Sequence, residues 1–268
     1  MTVSEIKNMS YTQFVAFIDQ WNVPPGALDT VNQWAVFGHV NSSSKVLEIA
    51  CTTGLSSREI SRITGCSSVG IDICEKSIES AKMNADIYGK GLHLDYKCAD
   101  ACKFETNEKF SHIILGASLA FFQTPNDMLN RLTTFLEDSG YILASPYYSR
   151  GVMPEGLICD CQRVIGITPT TTSYDDVRNI YADFEVVYEK RCTICVETKE
   201  QIEKYTRDTI ARACELRDIK DSDVIRSMYD RLYEIKDISN ELHRYQAYSV
   251  FVLRYLKNVY PNKFLELF

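Results

Sequence analysis

Apolar residues along the chain recur with two different spacings. From about Ser4 to Trp21, residues Ile6, Met9, Phe14, Phe17, Ile18 and Trp21 fall mostly three or four apart, which predicts one amphipathic helix. Val23-Pro24-Pro25-Gly26 ends it in a turn, because the residue before a proline is driven out of the helical region. A second helix, Leu28 to about His39, sets Leu28, Val31, Ala35 and Val40 on one side, and Asn41 to Ser44 is a polar loop. The spacing then shortens. Val46-Leu47-Glu48-Ile49-Ala50 is a strand, Cys51-Thr52-Thr53-Gly54 a tight loop, and Leu55 to Ile63 a helix.

The unit repeats, with a strand at Ser68 to Ile73 and a helix at Glu75 to Tyr88 whose apolar stripe is Ile78, Ala81, Ala85 and Tyr88. Further strands are predicted at His93 to Cys98, Phe110 to Leu115 and Tyr141 to Ala144, with a helix at Asn126 to Leu136 leading through Asp138-Ser139-Gly140 into the last of them. After Pro146 the rhythm changes: mixed helical and Thr-rich segments run from Val152 to Tyr181, and Phe184 to Val196 reads as a long strand. Thr198 to Leu242 then reads as two helices and Tyr245 to Leu256 as a final strand. Parallel neighbours need crossover connections, so this order predicts an α/β fold with a doubly wound, mostly parallel, seven-stranded sheet. The first helix would form a lid, and the late helical pair a cap inserted before the last strand.

Composition narrows the partners. With 29 Lys and Arg against 36 Asp and Glu, the net charge of -7 disfavours a nucleic-acid partner. The basic residues Lys204, Arg207, Arg212 and Arg217 are interleaved with Glu203, Asp208, Glu215 and Asp218, the pattern of a solvated helix face. No leader-like or membrane-spanning apolar stretch is present, so the 10 cysteines are expected as reduced thiols in the cytoplasm. Cys192 and Cys195 invite a zinc reading with Cys159 and Cys161, but an odd spacing on a strand sends side chains to opposite faces. A serine hydrolase is poorly supported because the Gly-x-Ser-x-Gly elbow is missing.

A strand-to-helix loop at the carboxyl edge of such a sheet turns backbone N-H groups toward a ligand, and small residues there let it approach. The loop from Glu48 to Gly54 has this character. Asp72, 24 residues after Glu48 at the next strand end, suits a carboxylate accepting from ribose hydroxyls, and Asp100, at the third strand end, could accept from an exocyclic amine.

These residues resemble the class I, Rossmann-like S-adenosylmethionine-dependent methyltransferases. Val46 to Gly54 looks like the family's first motif, with Ala50 and Thr52 in two of its three glycine positions. Val69-Gly70-Ile71-Asp72-Ile73-Cys74 with Ser77 to Lys82 is similar to the second motif, and Ala99-Asp100-Ala101 to the third. Phe110 to Ile114 resembles the fourth, although Ser111 stands where the family more often has Asp, and Gly140 to Ala144 resembles the fifth. The resemblance spans Leu28 to Pro146.

It implies S-adenosyl-L-methionine as cofactor and S-adenosyl-L-homocysteine as product, with Glu48, Ala50, Cys51, Thr52, Gly54, Gly116 and Ala117 around the methionyl end. Asp72 would hold the ribose, Ile73 would pack on adenine, and Asp100 with the Ala101 N-H would read its edge. Ala50 and Thr52 leave room for the cofactor if their φ angles are negative. Tyr11, Trp21, Ser118, Phe121, Phe122, Tyr147, Tyr148 and Arg150 are the candidate acceptor-pocket residues, and no catalytic base is identifiable from spacing. The resulting expectation is one methyltransferase domain over 1-268: a lid helix (1-26), a cofactor-binding core (27-150), a substrate-side and cap region (151-244), and a final strand with tail (245-268). The acceptor would be a small molecule methylated at N, O or C. The alternatives are an RNA or protein methyltransferase, a non-catalytic S-adenosylmethionine-binding protein and a nicotinamide-dependent oxidoreductase.

Overall fold

A computed structural model describes residues 1-256; the part of the expected tail beyond them lies outside the described residues. The helices are α1 (Val3–Asn8), α2 (Tyr11–Phe17), α3 (Ala27–Phe37), α4 (Leu55–Thr64), α5 (Glu75–Tyr88), α6 (Pro125–Thr133), α7 (Glu155–Val164), α8 (Tyr174–Ile180), α9 (Lys199–Arg217) and α10 (Ser222–Leu242). The strands are β1 (Lys45–Ile49), β2 (Ser67–Asp72), β3 (Leu94–Cys98), β4 (Phe110–Gly116), β5 (Leu136–Ala144), β6 (Tyr147–Ser149), β7 (Glu185–Thr193) and β8 (Gln246–Arg254).

β3, β2, β1, β4 and β5 lie side by side and parallel, and β8 runs antiparallel beside β5. β7 pairs with the free side of β8, while the short β6, missed by the sequence pattern, continues the lane of β5 past Pro146. Eight strands thus fill seven lanes. Alternation along each strand feeds two cores. Val46, Ile114, Leu143, Val250 and Val252 pack with Trp34 of α3 and Ile60 of α4. Leu47, Ile113, Ile142, Phe251 and Leu253 pack with Leu129 and Leu132 of α6 and Tyr181 after α8. Each such aliphatic residue removed from water contributes about 1.5–3 kcal/mol.

A third core is entirely helical. Ile6, Phe14, Ile18, Ile210, Met228, Leu232 and Ile235 join α1, α2, α9 and α10, and Cys161 brings in α7. The single N-terminal helix expected from spacing is two helices. Ser10 breaks it by capping α2, donating its N-H to Gln13 Oε1 (3.0 Å) while its Oγ accepts from Gln13 N-H (3.2 Å). The stripe expected on α3 also shifts: Leu28 is exposed and Trp34 fully buried.

Two arginines expected on a solvated face are instead clamps. Arg212 donates to the Asp19 carbonyl at 2.6 Å and lies over the Trp21 ring, and Arg217 donates to the Phe17 carbonyl and lies over Phe17. Arg231 of α10 does the same for the carbonyls of Ile6 and Met9, over Phe14. The physical reason is that short helices leave C-terminal carbonyls without intrahelical partners, and a guanidinium fork satisfies them.

Candidate functional site at the carboxyl edge of the sheet

The loop after β1 decides the geometry of the site. Ala50, Thr52 and Gly54 have φ of 54°, 46° and 73°, all in the left-handed region. The condition of negative φ set for Ala50 and Thr52 is therefore not met: both take the left-handed turn of the strand-to-helix reversal, a backbone that glycine adopts without strain. Such backbone costs an L-residue roughly 1–2 kcal/mol, most for a β-branched one. The loop is held by bonds on both sides: Asp72 Oδ2 accepts from Thr52 N-H (2.9 Å), Cys51 N-H donates to the Ile71 carbonyl (3.0 Å) and Asn84 Nδ2 to the Thr53 carbonyl (3.3 Å). Tyr96 of β3, which the sequence did not single out, donates its hydroxyl to the Gly54 carbonyl (3.0 Å), and a Cβ on Gly54 would lie 2.6 Å from that side chain.

Glu48 is buried, and its Oε2 accepts from Ser57 N-H at 3.0 Å in the first turn of α4. Burial pushes its carboxyl above the usual range, and the bonds from Ser57 and Ser56 and the nearby Arg58 pull the other way. Burial likewise raises Asp72, opposed by the N-H groups of Cys74 and Thr52.

Beside this loop lies a cavity of about 310 Å³. Glu48, Ala50 and Thr52 line it from the β1 side, and Gly116, Ala117 and Ser118 from the end of β4. Gly116 is left-handed (φ 54°), and nothing lies within 4 Å of where its Cβ would be. Ser118 Oγ is buried without a hydrogen-bond partner. Tyr11 and Tyr147 also line the cavity, and burial pushes each phenol up to about 12.

The other expected site residues divide into two groups. Asp72, Ile73, Asp100 and Ala101 lie outside the cavity, at the neighbouring strand ends of the same edge. Ile73 is 72% exposed there, and Asp100 Oδ1 accepts from Cys102 N-H at 2.9 Å. Within the loop, Gly54 and Cys51 do not line the cavity, and Cys51 is buried against Tyr96.

Four pocket candidates are corrected. Trp21 packs between Arg58, Arg212 and Tyr88, away from the cavity. Phe122 packs against the sheet core, whereas Phe121, expected beside it, lines the cavity. Tyr148 alternates with Tyr147 on β6 and so points to the opposite face, against Tyr174. Arg150 is exposed and does not line the cavity. Sequence reasoning also missed Asn22 to Pro25, Ile165 to Thr170, and the face of Ser239, Leu242 and His243 at the end of α10. Only the last group carried a local signal, its three- and four-residue spacing.

Residues 46-140 match a family model described as a methyltransferase domain. Residues 46-140 form a methyltransferase domain. The chain is an enzyme built around it. The fold has known counterparts: the crystal structure of the MccD protein superposes with a TM-score of 0.71 at 26% identity, covering 87% of this chain and 99% of that one. A S-adenosylmethionine-dependent methyltransferase from Geobacter sulfurreducens, solved with S-adenosyl-L-homocysteine, gives 0.68 at 16% identity, covering 90% and 96%. A carboxy-S-adenosyl-L-methionine synthase from Desulfotalea psychrophila is 26% identical over 40% of this chain and 45% of its own length, so the match spans less than half of that relative. Within the described residues, no helix of the enzyme is long and apolar enough to cross a membrane.

Proposed function

We propose that the enzyme transfers a methyl group from S-adenosyl-L-methionine to a small-molecule acceptor, leaving S-adenosyl-L-homocysteine. The left-handed run at Ala50, Thr52 and Gly54 beside a cavity is the observation that carries this reading, since such backbone strain persists where a ligand needs the loop open. The buried, unpartnered Ser118 Oγ and the open space at Gly116 also fit a ligand with polar groups at this end. When bound, the sulfonium supplies an already activated methyl group.

In this reading the chain's residues bind, orient and exclude water. Glu48 and the amides around Ala50, Thr52, Gly116 and Ala117 hold the methionyl end. Asp72, preset by its two N-H donors, keeps a second lone pair on each oxygen for ribose hydroxyls. Ile73 offers an apolar surface to adenine, and Asp100 with the Ala101 N-H reads the base edge. Residues 1-26 and 151-244 cover the acceptor side. The modest volume of the cavity and the net charge of -7 favour a small acceptor over RNA or protein, and free cysteines suit the cytoplasm.

The test is transfer of a labelled methyl group from S-adenosyl-L-methionine in the presence of a low-molecular-weight cell extract, total RNA or protein. Label is expected in the small-molecule fraction. Label confined to RNA or protein would replace this acceptor class, and binding without transfer anywhere would mark a non-catalytic cofactor-binding protein.

A further inference from the structure

α10 delivers its last turn to the cavity wall. Ser239, Leu242 and the C-cap His243 line it together with Gln246, the first residue of β8. His243 is half-buried, and its Nδ1 is shielded from solvent without a hydrogen-bond partner. The Cys195 backbone lies beside the ring, and a neutral imidazole carries one N-H donor and one lone-pair acceptor. Neither Lys nor Arg is among the cavity-lining residues described.

We propose that His243 takes the proton of the attacking group, and that the acceptor is an uncharged or cationic molecule bearing a hydroxyl or an amine. This rests on the methyl-transfer reading above. The oxygen or nitrogen lone pair forms the new bond to the methyl carbon, the carbon-sulfur bond breaks with its pair going to sulfur, and the O-H or N-H proton passes to the imidazole, then to solvent.

The surroundings suit that task. Lys236 of α10 and Glu197, before α9, face the ring and pair with each other at 3.0 Å. Burial and Lys236 hold the imidazole below its ordinary range, while Glu197 and the Cys195 backbone pull the other way. The negative end of the α10 dipole stabilises the imidazolium once formed and repels an anionic acceptor. The other ionisable groups of the cavity are worse bases: Tyr11 and Tyr147 stay protonated, and Glu48 is engaged by Ser57.

The test uses phenol, benzylamine and benzoate as probes of similar size. In the NMR spectrum, the histidine signal lost in His243→Gln should titrate below the usual range of about 6.5 and move on adding phenol or benzylamine but not benzoate. Where phenol or benzylamine is methylated, His243→Gln should lower kcat about 100-fold or more and remove the acid limb of the pH profile. Its affinity for S-adenosyl-L-homocysteine should stay within about twofold of the unsubstituted enzyme, since a base acting on the acceptor leaves cofactor binding alone. A His243 signal indifferent to phenol and benzylamine, an equal response to benzoate, or an undiminished rate in the variant would overturn the proposal. Failure of the unsubstituted enzyme to bind S-adenosyl-L-homocysteine would instead overturn the methyl-transfer reading.

Discussion

The loop after β1 and the helical cover meet at the same cavity but are held together differently. In the loop, Ala50, Thr52 and Gly54 keep a left-handed backbone, and buried Glu48 and Asp72 keep carboxylates that burial disfavours. In the cover, α1, α2, α7, α9 and α10 share an apolar core, and Arg212, Arg217 and Arg231 tie down the carbonyls of the N-terminal helices. The first region gives up stability for an open, polar edge; the second supplies stability and a wall. Changes that help folding should therefore be found in the loop, and changes that hurt it in the cover.

The largest effect is expected in the cover core. Leu232→Ala, at a fully buried site, should cost about 3 kcal/mol in denaturant unfolding. Arg231→Met should cost about 2 kcal/mol, because the carbonyls of Ile6 and Met9 lose a charged donor, and Arg231→Lys should restore less than half of that for want of the planar fork. Deleting residues 1 to 22 would strip Ile6 and Phe14 from the same core, so their removal tests folding before it tests any lid.

The loop should respond in the opposite direction. Thr52→Gly relieves a β-branched residue at φ 46° and should raise stability by about 1 kcal/mol, read as a higher Tm. A smaller gain is expected from Glu48→Gln. A carboxyl whose folded pKa is raised contributes stability below its unfolded value of about 4.3 and loses it as pH rises through the folded value. Glu48→Gln should accordingly melt higher than the unsubstituted enzyme at pH 7, with the advantage gone in mild acid, while its affinity for S-adenosyl-L-homocysteine falls. A Glu48→Gln protein less stable at pH 7 would contradict the contrast between the two regions.

The same contrast explains what the sequence made legible. The parallel sheet and its carboxyl-edge loops are encoded locally: strand, loop and helix follow one another within about 30 residues, so Glu48, Ala50, Thr52 and Ser118 could be placed at this edge from pattern, and Gly116 through the family resemblance. The cover depends on contacts between distant segments. Arg212 reaches Asp19 and Arg231 reaches Met9 across some two hundred residues, and no spacing distinguishes such arginines from solvated ones. His243 was hidden for the same reason, since its significance comes from the cavity it faces and from Cys195, which belongs to another element. The cysteines near this edge differ in the same way: Cys51 is buried in the loop, whereas Cys98 and Cys102 are exposed.

The central claim is that the strained loop is a cofactor site, and calorimetry tests it most directly. Titrating the enzyme with S-adenosyl-L-methionine, S-adenosyl-L-homocysteine and NAD should give saturable one-to-one binding of both adenosyl ligands, none of NAD, and loss of adenosyl binding in Asp72→Ala. Absence of heat from either adenosyl ligand at high micromolar concentration, or binding undiminished in Asp72→Ala, would contradict it.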